Sequence, residues 1–215
     1  MASMKTGRNT YAIDIVERRD VENYASGHLK NSEMVNLVEE ALLEDGAARD
    51  VVREKLREGA TGHRASHTQG LLFEALQDLH TTAHSCSTLA ETYSGLARHA
   101  DTPAVRRFLE GRRAAFHRAA ELLNRPLRDQ PAEVPDACEQ GVLLARESRE
   151  SLVRRLDETP AAAICDLNDL HAPVMLGLRT LVHLPWPLET KLLIADVYAL
   201  LRDELETGAW RLCRG

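Results

Sequence analysis

The chain has 215 residues, 44% hydrophobic and 28% charged but only 4% aromatic, with a formal net charge of -6 at pH 7. A core drawn from Leu, Ala and Val favours helices packed on helices over a sheet sandwich, which uses β-branched and aromatic residues. The acidic balance, with Arg interspersed among Asp and Glu, argues against a general nucleic-acid binder, and Cys86, Cys138, Cys165 and Cys213 form no CxxC pair of a zinc ribbon or thioredoxin-like motif.

Residues 1–31 mix Gly, Asn, Arg and Asp with few apolar anchors and read as a partly ordered leader. The stretch Met1–Tyr11 lacks an apolar run, so no secretory signal is expected. From Ser32, Met34, Leu37, Val38, Ala41 and Leu42 recur at helical spacing; Gly46 weakens the pattern, Val51, Val52 and Leu56 resume it, and Gly59 and Gly62 end it. This predicts an N-terminal helical segment over 32–62.

A stronger stripe, Leu72, Leu76, Leu79, Ala83, Cys86, Ala90, Tyr93 and Ala97, predicts a helix over 67–99. Thr102-Pro103 opens the next, with Thr as N-cap and Pro at the first helical position. Its stripe is Val105, Leu109, Arg112, Phe116, Ala119 and Leu123. The basic run Arg106-Arg107 with Arg112-Arg113 reads as a solvated helix face. Asn124–Pro135 contains three prolines and is a connection. A third helix follows, with Ala137, Gly141, Leu144, Ala145, Ser148, Leu152 and Leu156 on one face. Thr159-Pro160 repeats the start signal for a fourth, whose inward residues are Leu167, Leu170, His171, Val174, Leu178 and Leu181, and Pro173 is expected to kink or loosen it. Pro185-Trp186-Pro187 stops that helix, and a last one runs over 188–206. Arg179, His183, Pro185, Pro187, Glu189 and Lys191 interrupt the apolar stretch Val174–Leu201, so it is not a membrane span.

Short links within the first and second helix pairs make each an antiparallel hairpin. The proline-rich link, about 12 residues at roughly 3.1 Å each, reaches about 37 Å. The helix before it, about 22 residues at roughly 1.5 Å, is about 33 Å long, so the link can run the length of a bundle. The expected fold is all-α: a four-helix bundle over 63–184, two antiparallel hairpins with a long crossover. The extra N-terminal helical segment precedes it, and a C-terminal helix in 185–215 packs on the bundle or on a partner subunit. The tetrapeptides at 101–104 (DTPA) and 158–161 (ETPA) read as marks of a diverged repeat.

Leu89-Ala-Glu-Thr-Tyr-Ser-Gly-Leu-Ala, Asp101-Thr-Pro-Ala-Val-Arg-Arg-Phe-Leu and Phe116-His-Arg-Ala-Ala-Glu-Leu-Leu resemble the first hairpin of small bacterial ferritin-like and rubrerythrin-like proteins. Ala137-Cys-Glu-Gln-Gly through Leu156 resembles their third helix, and the resemblance spans about 67–183. Ferritin-like iron chemistry takes a Glu from each of two helices and an ExxH from each of the other two, because two iron ions need carboxylates to balance their charge. The chain has no ExxH; Ala114-Ala-Phe-His117 and Asn168-Asp-Leu-His171 put Ala or Asn where the carboxylate belongs. At about 100° per residue, Glu110, His117 and Glu121 fall off the apolar stripe of their helix, as Glu139, Glu147 and Glu150 do on theirs. The inward polar positions are Arg112, Ser148 and His171, so the resemblance implies the fold and argues against ferroxidase activity.

Three histidines remain as metal candidates. His80 and His84 stand one turn apart, a spacing that can hold a metal, with the alternative of an ordinary boundary pair. Glu91 shares their flank but lies about 10 Å beyond His84, too far to ligate the same ion. His171 sits in the apolar stripe just before Pro173, where the carbonyl freed from Asp169 offers it a partner. His63 and His67 repeat the spacing next to glycines. GxSxG, P-loop and GxGxxG motifs are missing, and no complete catalytic site is legible. The expectation is a non-enzymatic, cytoplasmic helical bundle without cofactor, acting as a homodimer or other homo-oligomer or through a protein partner, with neither nucleic acid nor membrane. Two alternatives stand beside it: an iron- or zinc-binding or redox protein using His80, His84 and His171, and a helical pocket for an apolar small molecule around Arg112 and His171.

Overall fold

The computed structural model describes residues 16–59, 69–127 and 146–214, and all regular structure among them is helical. The helices are α1 (Arg18–Ala25), α2 (Ser32–Glu44), α3 (Gly46–Arg57), α4 (Gln69–Arg98), α5 (Pro103–Leu123), α6 (Arg146–Glu158), α7 (Pro160–Val182) and α8 (Leu188–Arg214). Among the described residues no helix is long and apolar enough to cross a membrane. The link after Leu127 and the expected start of the third helix lie outside the described residues.

Local chemistry explains most boundaries. α1 falls within the segment read as a leader; it is short, capped by the Glu17–Asp20 capping box, and anchored by buried Val21, Tyr24 and Ala25. The 32–62 segment is two helices, and the break comes from Asp45 rather than from Gly46. Asp45 is extended (φ -118°, ψ 120°) and its side chain accepts from the Ala47 N–H at 2.9 Å, capping α3 while ending α2. Thr102 caps α5 as its sequence implies, accepting from Val105 N–H at 3.3 Å, with Pro103 in the first turn.

The stripes face the core as their spacing predicts. On α5, Val105, Leu109, Arg112, Phe116, Ala119 and Leu123 are all buried; on α7, so are Leu167, His171, Val174, Leu178 and Leu181. Among the described residues α8 has a larger part in the packing than expected: α4 packs on α5, α5 on α8, α8 on α7 and α7 on α4, and the described part of the third helix, α6, lies against α7 and also meets α4 and α5. The last helix, expected as an addition, is a wall of this ring. The reason lies in its faces: Lys191, Leu192, Ile194, Ala195, Val197, Tyr198, Ala199 and Leu201 leave almost no solvated side, the mark of a central helix. On α6 the described buried residues are Leu152, Val153 and Leu156.

The α1–α3 layer rests on α8 and α7 through ion pairs above an apolar floor. Arg53 bonds Asp196, Arg202 Nη1 reaches Glu44 Oε2 at 2.5 Å, and Arg179 Nη2 reaches Glu40 Oε2 at 2.8 Å.

Candidate functional site

The ring encloses a layer of polar and aromatic side chains where α4, α5 and α7 meet. Tyr93 on α4 and His171 on α7 are buried, and the phenol is hydrogen-bonded to His171 Nε2. Phe116 on α5 stacks on Tyr93 at a ring-centroid distance of 5.8 Å and lies tilted against His171 at 5.1 Å. One turn before Phe116, Arg112 is 1% exposed. Its Nη2 donates to the Leu205 carbonyl of α8 at 2.9 Å and its guanidinium carbon lies 5.1 Å from the Phe108 ring centroid. Arg112 Nε, Arg112 Nη1 and His171 Nδ1 are buried without a hydrogen-bond partner.

Burial, and then the charge of Arg112, push His171 down to about 3, so its imidazole is neutral near pH 7. Burial raises the Tyr93 phenol, only partly opposed by Arg112, and keeps it protonated. Burial also pushes the Cys86 thiol on the same stripe of α4 up to about 12, which makes it an inert core residue rather than a nucleophile. The layer therefore combines one permanent cation, a neutral imidazole, a phenol and aromatic faces.

The sequence-predicted residues distribute unevenly over this geometry. His171 is in the core, but its partner is Tyr93 and not the carbonyl freed by Pro173. His80 is half-buried and His84 exposed, on the flank of α4. Tyr93 lies nine residues beyond His84, about 14 Å along the helix, so His171 does not meet the other two and the three-histidine metal set is not assembled. Among the described residues no group of three or more His, Cys, Asp or Glu could hold a metal ion. Glu110, His117 and Glu121 are exposed, off the stripe as their spacing implies. Of the basic run, Arg106, Arg107 and Arg113 are solvated while Arg112 is not, so only part of it is a solvated face. His63, His67, Glu139 and Cys138 lie outside the described residues, as do the side chains of Glu147, Ser148, Glu150, Cys165 and Cys213.

A second constellation was not anticipated. Glu39 on α2 is 2% exposed. Its Oε1 accepts from Lys191 Nζ and, at 3.2 Å, from the Tyr24 hydroxyl; its Oε2 pairs with His183 Nδ1 at 3.0 Å. His183 Nε2 turns to Glu40 Oε1 at 3.2 Å. Burial works to raise the Glu39 carboxyl, but the bonds from His183 and Lys191 outweigh it and hold it below its usual value. The bond to Glu39 raises His183. With both oxygens engaged, Glu39 is a structural anchor joining α1, α2, α8 and the turn after α7, not a free base. Its register could have been read: it lies four residues after Val35 and three and four before Leu42 and Leu43, on the apolar stripe of α2.

One outward feature completes the picture. A groove of about 400 Å³ runs between α4 and α7, lined by Asp78, Ser85, Pro173, Leu176 and Thr180 among others. Leu176 on its rim is 66% exposed. Comparison with known protein families, with curated proteins and with solved structures gives no match.

Proposed function

We propose that this chain is a non-enzymatic binding protein: a degenerate ferritin-like bundle that has given up the di-iron centre and acts by association with a second copy of itself or with a protein partner. The single observation that carries this reading is the guanidinium of Arg112, buried in the bundle interior where ferritin-like chemistry would gather carboxylates. A fixed positive charge there repels a metal ion instead of balancing it.

The scaffold reading draws on the packing. Residues 99–102 join α4 to α5, and 183–187 join α7 to α8, and in this reading those two pairs are the hairpins. The Tyr93–His171 contact, and the approach of Thr82 to Gly177, run α4 and α7 antiparallel, in keeping with that arrangement. The second hairpin of this reading is α7/α8 in place of the α6/α7 pair read from loop lengths. Exposed Leu176 beside Pro173 offers an apolar contact for a homodimer.

The rival reading is an iron or zinc protein that uses His80 and His84 with ligands from a partner subunit. Elemental analysis of protein purified without a His-tag, together with light scattering, separates the two. The proposal expects no stoichiometric metal and a dimer mass that falls to the monomer in Leu176→Glu. Stoichiometric metal that disappears in His80→Ala/His84→Ala favours the rival, and a metal-free monomer counts against the rival and against self-association.

A further inference from the structure

The α1–α3 layer is one continuous stretch of chain, and outside itself it rests chiefly on α7 and α8. The outer pairs of that seam are partly exposed: Arg53 with Asp196, Arg179 with Glu40 and Glu44, and Arg202 with Glu44. Pairs so accessible to water hold little individually. The join at Glu39 differs. Its carboxylate is buried, and its donors come from three other places: Tyr24 on α1, Lys191 on α8 and His183 in the turn after α7.

His183 itself stands between two carboxylates of α2, with Nδ1 at 3.0 Å from Glu39 Oε2 and Nε2 at 3.2 Å from Glu40 Oε1. An ionised carboxylate accepts and does not donate, so both contacts are hydrogen bonds only when the ring carries both protons. A neutral ring has one N–H. Whichever nitrogen keeps it, the other turns a lone pair toward a carboxylate. The charged and titratable groups around this ring are Tyr24 from α1, Glu39 and Glu40 from α2, Arg179 from α7, which also pairs with Glu40, and Lys191 from α8. Among the side chains of this cluster only a histidine has an ordinary value near neutrality, 6.5.

We propose that His183 is a proton-operated latch: its imidazolium clamps α2, through Glu39 and Glu40, to the α7–α8 turn, and on losing the proton it lets the α1–α3 layer lift more readily while α4, α5, α7 and α8 stay packed. The latch works by linkage. Both carboxylates lie on α2, so lifting the layer removes both at once and returns His183 to its ordinary value. The docked layer, whose glutamates raise His183, therefore holds the proton more tightly than the lifted one, and opening grows as pH rises. Lys191 and Tyr24 still bond Glu39 when the ring is neutral, so the layer is loosened and not cast off. At about 100° per residue, Ala195 and Tyr198 share the face of α8 that carries Lys191 and Arg202. Both are buried, and they belong to the surface that a lifted layer uncovers.

Amide hydrogen exchange of the full chain, followed from about pH 6 to about pH 9 and corrected for intrinsic exchange rates, reads opening helix by helix. Amides of α2 and α3 are expected to open at least about tenfold more often than the buried amides of α5, because the layer lifts without the bundle unfolding. Their opening should rise by up to about tenfold per pH unit above 6.5, the slope of a single proton. It should level off at the midpoint at which the imidazole C–H resonances of His183 titrate by NMR. In His183→Gln the rise should vanish, with the layer already opening at the wild-type alkaline level near neutrality. Should that variant fail to fold, the wild-type profile decides alone. Opening of α2 that ignores pH, a rise that does not level off at the His183 midpoint, or exchange of α2 and α5 at one common opening rate each overturn the proposal, as does a rise that survives in His183→Gln.

Discussion

Glu39 and Arg112 are both buried ions, and the chain treats them in opposite ways. Glu39 meets Lys191, His183 and the Tyr24 hydroxyl, so its burial is repaid by bonds to both oxygens, whereas two nitrogens of Arg112 face no acceptor. Two histidines of these clusters also make stability depend on pH with opposite signs. His183 is raised in the folded chain, chiefly by Glu39; its contribution is complete below the ordinary histidine value of 6.5 and is lost as pH climbs through the raised value. His171 is lowered to about 3, so the unfolded chain takes up its proton first, and the contribution present above 6.5 is lost as pH falls from there toward 3. Glu39, also lowered, adds to the acid loss below the usual carboxylate range, and Lys191, Glu40 and Arg179 are the other charged groups in its surroundings. Urea midpoints measured across pH should therefore decline on both sides of the 6.5 region. His183→Gln should flatten the alkaline limb and, by releasing the Glu39 carboxyl upward, also reduce the loss below the carboxylate range, whereas His171→Gln should flatten the upper part of the acid limb only; a limb unchanged in its own variant contradicts that assignment.

At the scale of elements, the twin Thr-Pro signals show how far a local motif reaches. Both open a helix, but only Thr102 caps one: its hydroxyl oxygen accepts from Val105 N–H at 3.3 Å and donates to Asp157 Oδ1 of α6 at 2.7 Å. Thr159 is one residue past α6, and its hydroxyl turns back to the Arg155 carbonyl at 3.3 Å instead of capping α7. The difference follows from chain length, since α6 and α7 are separated by one residue and the backbone there (φ -140°, ψ 67°) lacks the extended geometry of an N-cap. Thr102→Ala should cost about 1 kcal/mol of unfolding free energy. Thr159→Ala should change it by a few tenths at most. Chemical denaturation of the two variants in parallel checks this, and equal losses would mean that the sequence motif, not the cap geometry, governs the effect.

For the molecule as a whole, the question is which helices make the core. Ile194, Ala195, Val197 and Leu201 of α8 are fully buried, and α8 supplies the carbonyl that receives Arg112. A chain ended after Pro187 should lose its cooperative thermal transition by calorimetry, because α5 and α7 would each expose a long apolar face. A cooperative transition in that truncated chain would instead restore α6 as the fourth wall and α8 as an accessory.

The helical class, the inward stripes of α5 and α7, the cap at Thr102 and the burial of Arg112 and His171 were legible in the sequence, because each depends on spacing within one helix or on neighbours a few residues away. Glu39 was legible in register and was missed because a carboxylate on an apolar stripe has no sequence-local sign of its partners. Those partners come from Tyr24, His183 and Lys191, far apart in the chain and joined only by folding. The same reason governs the ring. Loop lengths limit which helices can pair, but whether α6 or α8 closes the core is decided by how much apolar surface each can bury against all the others at once, and that sum exists only in the tertiary structure.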